Sequence, residues 1–160
     1  MTQAETFTIR EERYGKEHAA DNEVWLSQRP TRVLVAEDDD EMRKLITSSL
    51  RKDGYEVWEA RNGMEFLSYL SAFDTTISHY TRKEPPDLIV TDVRMPGLSG
   101  LEVLEGLRQM NWAVPVVLIT AFGDEATHAE AERLGVVAIF DKPFDLYEFR
   151  GAILKGMPPY

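Results

Sequence analysis

Four short apolar stretches of the chain end in groups that could do chemistry. Val33-Leu34-Val35-Ala36 runs into Glu37-Asp38-Asp39-Asp40, Leu88-Ile89-Val90-Thr91 into Asp92, Val117-Leu118-Ile119 into Thr120-Ala121, and Ala138-Ile139-Phe140 into Asp141-Lys142-Pro143. Carboxylates crowded together repel one another unless a proton or a cation joins them. Mg²⁺ suits such a cluster, because it is a hard octahedral ion that takes one or two carboxylates, keeps several waters and binds phosphate oxygens. A lysine facing the acids adds a point charge for a phosphoryl oxygen, and a threonine hydroxyl can donate to another. Phosphoryl transfer asks of a protein mainly positioning and neutralisation of charge. Acids, a hydroxyl and a lysine make that set, provided that the fold brings the strand ends together.

The elements around these groups alternate. "RVLVAE", "YEVWEA", "DLIVTD", "VPVVLITA" and "VVAIFDKP" read as strands, most of them Val/Ile/Leu-rich and nearly continuous in apolar character, as parallel strands covered on both faces should be. Helical spacing follows each strand. It places Met42, Leu45, Ile46 and Leu50 on the first helix, with Gly54 as its stop, and Met64, Leu67 and Leu70 on one face of the second. The third helix turns Leu101, Leu104 and Leu107 or Met110 inward, the fourth runs from Asp124 to Gly135, and "DLYEFRGAILKG" is the fifth. Asp39 and Asp40 suit the start of the first helix. Arg43 and Lys44 are expected on its outer face. Crossovers between parallel strands are right-handed. The economical fold is therefore α/β: a doubly wound, five-stranded parallel sheet of flavodoxin-like order 2-1-3-4-5 with helices on both faces. The first, third, fourth and fifth strands then lie side by side and share one carboxyl rim.

Residues 1–30 have no sustained period and read as a flexible arm able to dock by Trp25, followed by one domain over 31–157 and a tail at 158–160. The connection over 71–86 is long for its place. With 160 residues, 43% of them apolar, one domain with a real core is expected. The net charge of −10 argues against a nucleic-acid ligand and an anionic membrane surface. The absence of cysteine excludes thiol catalysis and Cys-based zinc sites and fits a reducing cytoplasm. No apolar run approaches the ~20 residues of a membrane span. The three histidines have no ligand spacing and read as surface residues; the methionines read as core fillers. There is no GxxxxGK[ST] loop, and "GLSG" is not a dinucleotide fingerprint.

The stretches "VLVAEDDDEMR", "LIVTDVRMPGLSG", "VVLITAFG" and "VVAIFDKPF" together resemble the receiver domain of bacterial two-component response regulators, in its chemotaxis-regulator-like form. The resemblance covers about residues 31–157. It implies that Asp92 accepts a phosphoryl group from the phosphohistidine of a histidine kinase or phosphotransfer protein. It implies Mg²⁺ held by Asp38 and Asp92 directly, by Glu37 through water, and by the backbone carbonyl of Arg94. Thr120 matches the switch hydroxyl, with Ala121 beside it, and Lys142 the phosphoryl-binding lysine. The Lys142-Pro143 bond is where the family's cis peptide falls. Phosphorylation would then rearrange the face made by helix 4, strand 5 and helix 5 for partner binding or dimerisation. The family's first helix commonly docks the kinase. The domain is expected to be a phosphoacceptor with at most slow self-phosphorylation from small donors.

Two departures stand out. Ile139 occupies a position where the family often has an aromatic switch residue, so coupling would pass through repacking of Ile139 by Thr120. Arg94 and Phe122, each two residues past a site residue, flank the path of attacking water, so slow dephosphorylation is expected. The chain is expected to be either a single-domain regulator or a receiver whose output domain is missing. Two alternatives remain: an aspartate-nucleophile phosphohydrolase, although "DVR" is not its DxD pattern, and a pseudo-receiver that switches without phosphate.

Overall fold

A computed structural model of the chain describes residues 29–72 and 84–159. In chain order the elements are β1 (Arg32–Ala36), α1 (Asp40–Lys52), β2 (Glu56–Ala60), α2 (Gly63–Ser71), β3 (Leu88–Asp92), β4 (Arg94–Met95), β5 (Leu98–Ser99), α3 (Gly100–Gln109), β6 (Val116–Thr120), α4 (Glu125–Arg133), β7 (Ala138–Asp141) and α5 (Leu146–Gly156). Five strands form one sheet in the order β2-β1-β3-β6-β7, all neighbours parallel. This is the flavodoxin-like order expected. The β4–β5 ribbon is a small antiparallel addition after β3.

Alternation along the strands divides the core in two. Val33, Val35, Val90, Val117 and Ile119 pack with Ile46 and Leu50 of α1 and Phe149 and Ile153 of α5. Leu34, Ile89 and Leu118 point the other way and pack with Phe66 and Leu70 of α2, Leu104 and Leu107 of α3, and Ala131 of α4. Every strand but the edge pair is covered on both faces, which is why β3 and β6 are buried at every position.

Each helix starts at the carboxyl rim with a side chain that accepts an orphan backbone N–H. Asp39, Asn62, Ser99, Asp124 and Asp145 are these N-caps, and Ser99 forms a capping box with Glu102. Such a cap contributes about 1 kcal/mol. It also fixes where each strand-to-helix turn lies, and those turns carry the site. Gly54 (φ 96°) and Gly135 (φ 70°) stop α1 and α4 in the left-handed region, as their positions suggest.

The helix faces differ from expectation. In α2 the buried residues are Gly63, Phe66 and Leu70, whereas Met64 is 74% exposed and Leu67 39%. In α3 they are Gly100, Val103, Leu104 and Leu107, with Met110 exposed. In α1 Leu45 is exposed and Arg43 is buried; only Lys44 faces outward as expected. Of the methionines expected as core fillers, Met95 and Met157 are buried and Met64 and Met110 are not.

Residues 1–28 of the expected arm, including Trp25, and residues 73–83 of the long connection lie outside the described residues. Arg29 is fixed to the body, with Nη1 and Nη2 donating to Asp87 at 2.8 and 3.1 Å. The carbonyls of Pro158 and Pro159 accept the hydroxyl and amide of Thr31 at 2.6 and 2.7 Å.

Candidate functional site

The ends of β1, β3 and β7 deliver three groups to one place. Glu37, immediately after β1, is 1% exposed, and Asp92, the last residue of β3, is 5% exposed. The ammonium of Lys142, just past β7, donates to Glu37 Oε2 at 2.8 Å and to Asp92 Oδ2 at 2.7 Å. The second oxygen of each acid is held by backbone. Glu37 Oε1 accepts the Asp39 amide at 3.0 Å, and Asp92 Oδ1 accepts the Arg94 amide at 2.8 Å. Asp38 is exposed at the mouth, and oxygens of Glu37, Asp38 and Asp92 lie within 4.8 Å of one another.

The electrostatics follow from this crowding. Burial pushes the Glu37 carboxyl up to about 7, against the hydrogen bonds from Lys142 and the Asp39 amide that favour its charge, and the Asp92 charge adds to the rise. Burial works against the Lys142 ammonium too, but its hydrogen bonds to Asp92 and Glu37 prevail and hold its pKa above the ordinary value. The pocket therefore has more negative charge than one lysine satisfies. Three carboxylates offering hard oxygens, one of them open to solvent, fit a divalent cation such as Mg²⁺.

Beside the acids, Thr120 ends β6 fully buried, and its Oγ1 accepts the Phe122 amide at 3.1 Å. The Lys142 amide donates to the Thr120 carbonyl at 2.7 Å, which ties the lysine's strand to the hydroxyl's, and the Lys142-Pro143 bond is cis. Ala121 and Phe122 are exposed on the following turn. The Arg94 guanidinium carbon lies 4.7 Å from the centre of the Phe122 ring, so the two residues singled out in sequence touch. Ile139 is half-buried, pairs with Leu118 and packs on the core beneath α2, α3 and α4.

Four features were not singled out from sequence. Gly100 begins α3 against β3, and a Cβ there would collide with the Asp92 carbonyl. Gly123 lets the β6–α4 turn lie on the side chains of Asp141 and His128. His128, read as a plain surface residue, has Nε2 3.1 and 3.2 Å from the Asp141 carboxylate oxygens, joining α4 to the end of β7. Arg43, expected on the outer face of α1, is the fourth, for no role at the site was read for it: it is buried, and its Nη1 donates to the Glu37 carbonyl at 3.0 Å. A signal for Arg43 existed, since residues 43, 46, 47 and 50 share one helical face.

Comparison with known proteins places this architecture. The response regulator receiver domain family matches residues 33–154. Sporulation initiation phosphotransferase F of Bacillus subtilis is 31% identical over 127 residues, 79% of this chain and 94% of that one. Regulatory protein AtoC of Escherichia coli is 32% identical over 126 residues, and there the chain spans only 25% of the relative's length. The crystal structure of a response regulator receiver protein from Pseudomonas putida superposes with a TM-score of 0.67 at 26% identity, covering 79% of this chain and 97% of that one. The chain thus belongs to the response regulator receiver family, the signalling domain of two-component systems. Among the described residues no helix is long and apolar enough to cross a membrane.

Proposed function

We propose that residues 31–157 form a receiver that takes a phosphoryl group onto Asp92 from the phosphohistidine of a histidine kinase or phosphotransfer protein. The observation that carries this reading is the Lys142 ammonium bridging Glu37 and Asp92 at 2.8 and 2.7 Å. In the transfer an Asp92 oxygen forms the new P–O bond as the P–N bond to the donor imidazole breaks, and the electron pair leaves with that nitrogen. The Arg94 amide orients the carboxylate from one side and Lys142 from the other. Once Asp92 carries the phosphoryl group as an acyl phosphate, Lys142 has phosphoryl oxygens to pair with. The Thr120 hydroxyl, which now accepts the Phe122 amide, can turn to donate to another.

Glu37, Asp38, Asp92 and the backbone carbonyl of Arg94 are the groups that would hold Mg²⁺. When bound, the ion neutralises charge on the acids and on the transferring phosphoryl group. Movement of Thr120, with Ala121 beside it, reaches α4 through the turn it caps and reaches β7 by repacking Ile139. The α4–β7–α5 face thereby changes for a protein partner, an output domain or a second copy of this chain. Phosphorylation biases that equilibrium only by its different interaction with the two arrangements. Arg94 and Phe122 hinder water and lengthen the life of the signal. The setting is the cytoplasm, with neither nucleic acid nor membrane as this domain's ligand.

The test is incubation with acetyl phosphate and Mg²⁺. A stoichiometric mass gain of one phosphoryl group, absent in Asp92→Asn, is the expected result. Continuous turnover of phosphomonoesters would show a phosphohydrolase instead, and no uptake of phosphoryl or beryllofluoride would show a receiver that switches without phosphate.

A further inference from the structure

We infer that Arg43 is a positioning residue for the acidic pocket, acting through the peptide plane that joins Glu37 to Asp38. Arg43 is 4% exposed, although it is a charged residue in the first turn of a helix. Such a residue is rarely so buried unless paired. Its guanidinium is spread over three acceptors: Nη1 to the Glu37 carbonyl at 3.0 Å, Nε to Glu59 of β2 at 3.2 Å, and Nη2 to Asp40. Asp40 and Glu59, the latter shared with Arg51, balance its charge. What remains for the Glu37 carbonyl is a directed, buried hydrogen bond.

That carbonyl and the Asp38 amide belong to one planar peptide unit. A donor that fixes the carbonyl fixes the plane from which the Asp38 side chain departs. Glu37 is then gripped at three points: its carbonyl by Arg43, Oε1 by the Asp39 amide and Oε2 by Lys142. Asp38 is exposed. Its direction toward the pocket is set by the backbone behind it, and Arg43 sets that backbone. A lysine at 43 cannot reproduce the fork, because its compact charge cannot reach three separated acceptors.

The inference rests on the divalent-cation reading above, and its test separates the two. Mg²⁺ is titrated calorimetrically, without phosphate, into wild type, Asp38→Asn, Arg43→Lys, Arg43→Met and Glu59→Gln, and melting temperatures and amide exchange are measured on the metal-free proteins. Arg43→Lys and Arg43→Met are expected to bind Mg²⁺ about tenfold more weakly, the range seen when a residue orienting a metal ligand is lost. The Asp39 amide should exchange faster in both, while the Leu50 amide near the end of α1 keeps its protection. Glu59→Gln removes a charge partner of Arg43 but leaves the Glu37 bond, so it should lower the melting temperature and keep Mg²⁺ affinity. Affinity that falls equally in Glu59→Gln, or unchanged Mg²⁺ affinity in the Arg43 variants, overturns the inference. If wild type and Asp38→Asn bind Mg²⁺ alike, the cation reading fails instead, and Asp39 exchange in Arg43→Lys alone decides the positioning role.

Discussion

Arg94 and Phe122 meet over a short distance, 4.7 Å from guanidinium carbon to ring centre, and each is anchored by a backbone amide that serves the pocket. The Arg94 amide holds the Asp92 carboxylate, and the Phe122 amide holds the Thr120 hydroxyl. A cation–π contact at an exposed site contributes about 0.5–1 kcal/mol, enough to favour the closed pair without locking it. Hydrolysis of an aspartyl phosphate needs water aligned with the phosphorus, and alignment is a large part of the rate. In Arg94→Asn/Phe122→Glu, small or water-ordering groups replace the pair. The phosphorylated double variant is expected to decay on the order of tenfold faster than wild type, since one misplaced reactant costs at least that much. Decay is followed by intact mass after the phosphodonor is removed; a double variant that decays more slowly would refute the reading. The positions of Asp92, Thr120 and Lys142 were legible in the sequence because each apolar run stops at or beside one of them, and such sheets gather sites at strand ends. Arg43 was not legible as buried, because its three acceptors come from β1's end, β2 and its own helix, and only the assembled sheet brings Glu59 opposite it. The His128–Asp141 contact was hidden for the same reason, as it depends on the β6–α4 turn settling where Gly123 has no side chain.

Element existence and order could be read from periodicity, but the inward faces of α1, α2 and α3 coincide only in part with the set of large apolar side chains. Gly63 and Phe66 replace Met64 and Leu67 on α2; at α3 Gly100 and Val103 join Leu104 and Leu107 inward, Leu101 is partly buried against the core, and Met110, the C-cap, is exposed. Counting bulky residues misleads there because the closest approach of each helix is made by a residue with no side chain. A Cβ on Gly63 would press on Leu98, and one on Gly100 on the Asp92 carbonyl. Met64, Leu67 and Met110 stay at the surface, where single apolar side chains are common. The two glycines of α3 make a matched test. Gly100→Ala must shift either the helix start or β3, and such overpacking costs about 1–3 kcal/mol. It should also slow acetyl-phosphate labelling of Asp92, whose carbonyl it displaces. Gly106, in the same helix, has open space around its Cβ position. Gly106→Ala should therefore stabilise by about 0.5–1 kcal/mol, through helix propensity alone, and leave labelling unchanged. Urea unfolding and labelling rates read both outcomes. Loss of stability in Gly106→Ala, or unaltered labelling in Gly100→Ala, would contradict this account of how α3 approaches β3.

The candidate site residues occupy the carboxyl rim of the sheet, and the chain is fastened at the opposite rim. Thr31 bonds Pro158 and Pro159, the Tyr55 hydroxyl donates to the Met157 carbonyl at 2.7 Å, and the Arg29–Asp87 fork clasps the segments entering β1 and β3. One further tie joins the two helices on the same face of the sheet: Arg150 of α5 forks onto Asp53, the C-cap of α1, with Nε at 2.7 Å. The partners are 97 residues apart, so the fork links the first helix of the domain to its last. It holds the Asp53 carboxyl below its ordinary 3.8, chiefly through the hydrogen bonds from Arg150. An acid whose pKa falls on folding binds fewer protons in the folded state than in the unfolded, so folding gains as pH rises through that interval. The gain is complete above the unfolded value and disappears as pH falls through the lower, folded one. Asp53→Asn keeps the size of the side chain and removes the charge. Its melting temperature should lie below that of wild type at pH 7, and the two should converge as pH drops below about 4. Added salt should narrow the gap at pH 7 only in part, because Asp53 is largely shielded from solvent, its side chain 11% exposed. A gap that stays constant down to pH 2 would mean that the fork acts by shape and not by charge. Convergence would show that α1 and α5 are held together electrostatically at the rim away from Asp92.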